Sequence, residues 1–213
     1  MKKILITYSC SLSVGPSLLA ALEMQKQFPL AENIQQLVFS DLEIPGVNIP
    51  MILDARLMRP DGYAHGLARN LNIAAARARD VDYLVMLEAD SVFLGFKGGA
   101  PASDYETLLI FFQDHPGEAF THSGFLEEKR WRLASWMVLG RKLFMEPWCS
   151  SDERFVGWGW EDFDFVQNVM APRGFHLRPS SGSAIHLWHP WRCEPERRNE
   201  KLFNAKLAGL NKA

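Results

Sequence analysis

Short apolar runs alternate with segments of helical periodicity through the first half of the chain. Residues 3–8 and 36–39 predict strands, and residues 83–87 form a continuous apolar run. Residues 16–28 and 66–79 predict helices, because apolar side chains recur there at helical spacing and Pro opens the first of them. Strands that alternate with helices predict an α/β fold. The uninterrupted run at 83–87 predicts a central strand covered on both faces of a mostly parallel sheet.

The second half of the chain has a mixed pattern. Because residues 41–62 are rich in Pro and Gly, we expect a loop there. The elements expected after the central strand are a helix at 105–113, a strand at 136–139, a helix from Glu161, a strand at 184–187 and a final helix at 195–210. An open α/β sheet binds its ligand beyond the carboxyl ends of its strands, so the residues after Leu87 are the first candidates for chemistry.

Composition and charge narrow the classes of function. The 213 residues are 47% hydrophobic and 23% charged, as in an ordinary globular protein of one domain. The net charge of −2 gives no general attraction for nucleic acid. Basic residues do gather near the end of the chain, where a solvated helix face is favoured and contact with a polyanion, including a nucleic-acid acceptor, is the alternative: Arg192, Arg197, Arg198, Lys201 and Lys206.

The cysteines and the N-terminal segment suggest a cellular location. Cys10, Cys149 and Cys193 are odd in number and far apart, which does not fit a disulfide framework and favours a reducing compartment. The apolar run that follows Lys3 is too short for a signal peptide, and no segment has the length of a membrane span. We therefore expect a cytoplasmic protein without a membrane anchor of its own.

Two carboxylates terminate the predicted central strand. Glu88 and Asp90 lie two positions apart, so their side chains point to the same side of extended backbone. A divalent cation such as Mg²⁺ or Mn²⁺ would explain this placement, although acidic residues at strand ends also occur without a metal. On the preceding helix, Arg69 can contact a diphosphate or form an ordinary salt bridge, and the sequence leaves both open.

The stretch from Phe155 to Asp164 is the most informative part of the sequence. Glycines at alternate positions permit tight backbone, and Trp158 and Trp160 are interleaved with them. Three acids follow in the first turn of a predicted helix, where the helix dipole favours negative charge: Glu161, Asp162 and Asp164. The dipole alone does not explain the two indoles. A saccharide site does, because indole faces cover sugar rings, carboxylates accept hydrogen bonds from hydroxyls, and one carboxylate can act as a general base.

A pair of histidines lies near the C-terminus. His186 and His189 are three positions apart and precede Pro190, so one turn would bring both imidazoles to one ion. A structural zinc site would need two more ligands, and only Cys193 is near in sequence. We therefore expect a mixed site in which one of these histidines shares a catalytic metal with Asp90.

Together and in this order, the three motifs resemble those of the GT-A fold glycosyltransferases over residues 60–192. Arg69-Asn70 and Leu87-Glu88-Ala89-Asp90 are similar to the arginine helix and the Asp-x-Asp strand end of that fold. Residues 155–162 resemble the Gly-Trp-Gly-x-Glu-Asp signature of three groups: the β-1,4-galactosyltransferases, the chondroitin-polymerase type and the polypeptide N-acetylgalactosaminyltransferases. The segment 186–189 falls where those groups carry a metal-binding histidine.

The resemblance implies a division of the chain and a donor site. It implies one GT-A-like domain, in which residues 1–100 bind the nucleotide sugar, most often a UDP-sugar, and residues 101–213 bind the acceptor. Asp90 would coordinate Mn²⁺ or Mg²⁺ together with His189, and whether His186 is also a ligand stays open. Glu88 stands where the family has its first Asp, which contacts the ribose or the metal.

The resemblance also implies an acceptor site. Glu161 and Asp162 would hold the acceptor sugar, and Asp162 would remove the proton from its hydroxyl. Trp158 and Trp160 would line the acceptor or donor pocket. The galactosyltransferases have Gly at the position of Trp160, so the identity of the acceptor stays open.

The expected function is metal-dependent transfer of a sugar from a nucleotide sugar to a hydroxyl, with inversion at the anomeric carbon. The nearest alternative is a retaining transferase of the polypeptide-modifying type, which would differ in the stereochemistry of its product. A sugar nucleotidyltransferase would release pyrophosphate. A saccharide-binding module without activity would bind a glycan but would not hydrolyse a nucleotide sugar.

Overall fold

The computed structural model describes residues 1–113, 136–189 and 197–210, and an eight-stranded sheet lies at its centre. The strand order is β3-β2-β1-β6-β9-β8-β10-β7. The strands of the sheet are β1 Ile4–Cys10, β2 Ile34–Ser40, β3 Met51–Leu53, β6 Tyr83–Glu88, β7 Ser91–Phe96, β8 Tyr105–Phe112, β9 Met137–Gly140 and β10 Arg178–His186. The pairs β2–β3, β1–β2, β1–β6 and β8–β10 are parallel, whereas β9 and β7 pair antiparallel to their neighbours. The remaining two strands, β4 Met58–Arg59 and β5 Gly62–Tyr63, form a separate antiparallel pair.

The helices flank this sheet. They are α1 Gly15–Gln25, α2 His65–Arg77, α3 Arg141–Phe144, α4 Glu161–Asp164 and α5 Arg197–Leu210. A wider π-helical segment, Phe165–Met170, continues α4 directly. Among the described residues, no helix has the length and apolar character needed to cross a membrane.

The central strands have apolar side chains on both faces because both faces are covered. Leu84 and Met86 of β6 join the cluster beneath α2, whereas Val85 and Leu87 join the cluster on the opposite side of the sheet. Because neighbouring side chains of a strand point to opposite faces, a continuous apolar run is needed to fill both layers. The α/β fold expected from the sequence is therefore confirmed.

The second half of the chain departs from the sequence-based expectations. The helix expected at residues 105–113 is wrong: this segment is strand β8, held between β9 and β10. The expected loop at 41–62 contains β3, β4 and the beginning of β5. Strand β7 was not predicted, and β10 begins at Arg178 rather than at residue 184. Of the final helix, residues 195 and 196 lie outside the described residues, as do Cys193 and Arg192.

The strand directions place several candidate residues at the same end of the strands. Strands β1, β2 and β6 run parallel, so Cys10, Asp41 and Glu88 come at neighbouring carboxyl ends. Directly after β6, the chain crosses to the far edge of the sheet, where β7 pairs with β10 and places Ser91 opposite His186. The Leu187 amide donates to the carbonyl of Asp90 at 2.9 Å, which extends this pairing by one bond.

Candidate active site

The imidazoles of the histidine pair lie against the carboxylate at the strand end. His189 Nε2 is 3.1 Å and His186 Nε2 is 3.5 Å from Asp90 Oδ2. One ligand atom from each of these three side chains can be chosen so that all lie within 4.8 Å of one another. About a hundred positions separate Asp90 from the histidines in sequence, and the β7–β10 pairing brings them together.

The surroundings of this cluster hold His186 firmly. Its side chain is buried, and its ring contacts Phe112 and Trp136 with centroids 5.0 and 5.5 Å away. Trp136 is itself fixed, because its indole nitrogen donates to Ser91 Oγ at 2.7 Å. His189 is one-third exposed, which leaves the cluster open on one side.

One carboxylate oxygen of Asp90 lacks a hydrogen-bond donor among the described residues. Oδ1 is buried and accepts no hydrogen bond from the described residues. A buried carboxylate oxygen without a donor is unfavourable, and a cation relieves it. Two imidazole nitrogens and a carboxylate suit a divalent transition-metal ion. The donor set therefore fits a divalent cation.

Glu88 lies beside this cluster, with its Oε2 3.6 Å from His186 Nε2. Removal from water raises the pKa of Glu88, its hydrogen bond with His186 opposes that shift, and the nearby charge of Asp90 adds to it. The negative charge of Asp162 also raises this pKa. The acidic strand end and the Gly/Trp/acid loop (residues 155–164) therefore face each other across the site.

The Gly/Trp/acid loop has an unusual backbone. Gly157, Gly159 and Trp160 have φ values of 75°, 94° and 73°, and among the described residues Trp160 is the only non-glycine with positive φ. The left-handed conformation costs a bulky residue about 1–2 kcal/mol, so surrounding contacts must compensate. Trp160 immediately precedes α4, and its conformation turns the chain so that Glu161 and Asp162 begin the helix.

Helix α5 provides many of the compensating contacts. The fully buried amide of Asn199 donates to the carbonyls of Val156 and Gly159 at 3.1 and 3.0 Å. Arg198 donates to the carbonyl of Val156 at 2.8 Å. Lys206 pairs with the buried Asp164 at 2.6 Å. Part of the basic tail thus supports the loop from within the protein, a role that the sequence pattern did not indicate.

The two indoles of the loop have different surroundings. The ring of Trp160 packs on Phe203 of α5 and on Phe163, with centroids 5.3 and 5.7 Å away. Trp158 is partly exposed. Trp160 therefore contributes to the attachment of the loop to α5.

Arg69 lies beneath the loop. Its guanidinium forms an ion pair with Asp162 and donates to the backbone carbonyl of Glu161 at 3.1 Å and to Ser151 Oγ at 3.3 Å. The side chains of Arg69 and Asp162 are only 10% and 13% exposed. Of the two interpretations left open for Arg69, the structure contains the salt bridge.

Glu161 is buried beside Asp162. Burial and, to a smaller extent, the charge of Asp162 raise the pKa of Glu161, Arg69 partly opposes both, and the resulting pKa is about 8. His65 Nδ1, at the start of α2, lies 3.8 Å from Glu161 Oε1. Desolvation lowers the pKa of His65 to about 4, so this imidazole is neutral near pH 7. Sequence reasoning missed His65, because Glu161 lies almost a hundred positions away from it along the chain.

Comparison with known proteins yields structural matches alone. No protein-family model matches the chain. No curated protein matches it either. Among solved structures, GalNAc-T7 with UDP, GalNAc and Mn²⁺ has a TM-score of 0.62 at 11% identity, over 96% of this chain and 48% of that one. TarS from S. aureus in complex with UDP has a TM-score of 0.56 at 14% identity, over 98% of this chain and 64% of that one.

A third match is a mutant Drosophila β-1,4-galactosyltransferase 7 in complex with manganese, UDP-Gal and xylobiose. Its TM-score is 0.52 at 14% identity, over 92% of this chain and 78% of that one. These structures share the GT-A fold, and this chain has that fold. The chain spans about half the length of GalNAc-T7 and 64% of the TarS chain.

Proposed function

We propose that this chain is a glycosyltransferase that uses a divalent metal to move a sugar from a nucleotide-sugar donor to an acceptor hydroxyl, with inversion. One observation carries the proposal: on a GT-A fold, the cluster of Asp90, His186 and His189 faces an acid loop that holds a paired carboxylate. The GalNAc-T7 structure was determined with UDP and Mn²⁺, the galactosyltransferase structure with UDP-Gal and manganese, and a TarS structure with UDP-GlcNAc. They support a UDP-sugar as the donor.

Three side chains would hold the cation: Asp90, His189 and His186. Imidazole nitrogens favour Mn²⁺ over the harder Mg²⁺. A cation bound there would neutralise negative charge on the donor diphosphate as the nucleoside diphosphate leaves. Glu88 lies at the edge of this cluster, where it would contact the donor ribose.

Asp162 is the proposed catalytic base. Its ion pair with Arg69 fixes the position of the carboxylate. From that position it would take the proton of the acceptor hydroxyl as the oxygen attacks the anomeric carbon opposite the leaving diphosphate, which inverts the configuration. Glu161 and Trp158 would position the acceptor sugar, and Trp160 would hold the loop in place. Arg69 acts in this scheme as a positioning residue rather than as a ligand of the diphosphate.

A screen of nucleotide sugars with Mn²⁺ tests the proposal without knowledge of the acceptor. Slow hydrolysis of one donor, read as release of the nucleoside diphosphate, should require metal and disappear in Asp90→Asn. Asp80→Asn is the matched control, because Asp80 is an exposed acid outside the site. The proposal fails if no donor is hydrolysed, or if Asp90→Asn hydrolyses it as fast as wild type does.

The role of Asp162 is tested by Asp162→Asn. This variant should bind the donor as wild type does and lose transfer by about 10²–10⁴-fold, because a general base contributes roughly that factor. Turnover equal to wild type with metal and donor present would show that another group removes the proton. The anomeric configuration of the product, determined by NMR, decides between inversion and retention.

A further inference from the structure

Two neighbouring carboxyl groups share one guanidinium unequally. Arg69 donates to the side chain of Asp162, but it reaches Glu161 only at the backbone carbonyl. Glu161 Oε2 is buried and has no hydrogen-bond partner among the described residues. The Glu161 side chain is 8% exposed.

Among the described residues, no charged or titratable group around Glu161 pairs with its carboxylate, although the charge of Arg69 acts on it from a distance. Asp162 and Glu88 are acids whose charges disfavour a second carboxylate. Arg69 is already paired with Asp162. His65 Nδ1 is 3.8 Å away, beyond hydrogen-bond distance, and its surroundings favour the neutral imidazole. A buried carboxylate without a compensating cation is strongly unfavourable, whereas the protonated acid is tolerated.

We propose that Glu161 works as a neutral carboxylic acid, which donates a hydrogen bond to the acceptor while Asp162 works beside it as the carboxylate. The inference rests on the proposed function for its acceptor, and it assigns opposite roles to two adjacent acids. Pairs of titratable groups whose environments push their pKa values apart commonly divide the acid and base roles in this way.

The protonated form changes which acceptors fit. A carboxylate accepts hydrogen bonds and therefore selects sugar hydroxyls as donors, whereas a carboxylic acid also presents one O–H donor. The acceptor should therefore place an oxygen with a free lone pair against Glu161, beside the hydroxyl that reacts. Ring oxygens, glycosidic oxygens and amide carbonyls of a saccharide meet this requirement. The raised pKa of Glu161, about 8, agrees with this inference.

The protonation state is testable through stability, without any substrate. Glu161 has a higher pKa in the fold than in the unfolded chain, so its contribution to stability is complete below about pH 4.5 and is lost as the pH rises toward about 8. Glu161→Gln does not titrate and lacks this loss. The ratio of the wild-type to the Glu161→Gln unfolding constant should therefore rise about tenfold per pH unit between roughly pH 5 and pH 7.5.

Urea denaturation at a series of pH values measures this ratio, and the titrating groups remote from Glu161 cancel because both proteins carry them. Glu43→Gln, at an exposed position, is the matched control and should give a ratio independent of pH over the same range. A flat ratio for Glu161→Gln would overturn the inference, because it would show a carboxylate that is already ionised at pH 5. This outcome does not depend on whether the chain transfers sugars.

A second measurement addresses the hydrogen bond itself. With the donor found in the Mn²⁺ screen and a panel of 4-nitrophenyl glycosides as acceptors, the amide of Glu161→Gln can replace the O–H donor, whereas Glu161→Ala cannot. The acceptor KM should rise at least tenfold more in Glu161→Ala than in Glu161→Gln. Equal increases in the two variants would contradict a donor role, and absence of metal-dependent donor hydrolysis in wild type would instead count against the proposed function.

Discussion

One arginine connects three parts of the candidate site. Arg69 of α2 bonds the Asp162 carboxylate, the backbone of Glu161 and the hydroxyl of Ser151. Its guanidinium also lies over the ring of Phe165, 5.3 Å from the centroid. A buried ion pair of this kind fixes geometry, and the loss of one partner leaves an uncompensated charge.

Replacement of Arg69 should therefore damage both stability and turnover. Arg69→Met should lower the free energy of unfolding by about 3–5 kcal/mol, because Asp162 stays buried without its partner. Turnover of the donor should fall about 10²-fold, since a displaced base is poorly aligned. Urea denaturation and the donor assay measure the two effects.

Arg56→Met is the control for this variant. Arg56 forms an ion pair with Asp54, but its side chain is 70% exposed. Exposed ion pairs contribute little to stability, so Arg56→Met should remain close to wild type in both measurements. If Arg69→Met were equally mild, the ion pair with Asp162 would not organise the site.

The sequence predicted the candidate side chains of the site better than the contacts between them. The strand-end acids and the histidine pair are recognisable by residue type and spacing, and the structure brings Asp90, His186 and His189 together. The approach of His65 to Glu161 depends on how α2 packs beneath the loop. Short-range pattern carries no information about such a contact.

At the scale of elements, helix α5 acts as a support for the Gly/Trp/acid loop. Its polar face meets the loop through Asn199 and Lys206, and its Phe203 packs on Trp160. The left-handed backbone of the loop leaves the carbonyls of Val156 and Gly159 pointing toward the helix. The helix supplies the donors that these carbonyls require.

Removal of this support should loosen the loop. Asn199→Ala should lower the free energy of unfolding by about 1–3 kcal/mol, because two carbonyls lose a buried donor. Donor turnover should fall as well, since Asp162 follows the loop directly. Asn204→Ala, on the exposed face of the same helix, should change neither quantity. The supporting role would be refuted by an Asn199→Ala protein as stable and active as the Asn204→Ala control.

Two strands, β7 and β8, were not predicted from the sequence. Strand β8 carries the buried polar residues Glu106 and Thr107 near its start, which gave the segment no clear alternation of period two. Its strand conformation is set by β9 and β10 on either side. Strand β7 follows β6 after only two residues and contains Gly95 at a φ of 114°, so it lacks the usual signals of a separate strand. Tertiary pairing determines both elements.

At the scale of the whole molecule, the sheet curls so that distant segments meet. Strand β7 is adjacent to β6 in sequence but lies at the far edge of the sheet beside β10. Asp90 occupies the junction between them, and the histidines follow β10. The proposed metal site therefore exists only when both halves of the chain are folded together.

Metal binding should consequently stabilise the entire fold. Any ligand that binds only the folded state raises the free energy of unfolding by RT ln(1 + [L]/Kd), about 2.7 kcal/mol at a hundredfold excess over Kd. Addition of Mn²⁺ should raise the Tm of wild type, and acid should abolish the increase because imidazole ligands must be deprotonated.

The control for metal binding is a second histidine substitution. His189→Gln should lose the Mn²⁺-dependent increase in Tm, whereas His176→Gln should keep it, because His176 is exposed and outside the cluster. Equal increases in wild type and in His189→Gln would exclude His189 as a ligand. Thermal unfolding with and without Mn²⁺ provides the measurement.

The single backbone bond from the Leu187 amide to the Asp90 carbonyl has a further consequence. It ties the chain segments that carry the acid and the imidazoles, so that amide is shielded whenever the two segments remain together. Its exchange with deuterium oxide should slow when Mn²⁺ is added and become faster when the pairing of β7 with β10 opens. Deuterium uptake at this one amide would thus report how often the segments of Asp90 and Leu187 separate, without a catalytic assay.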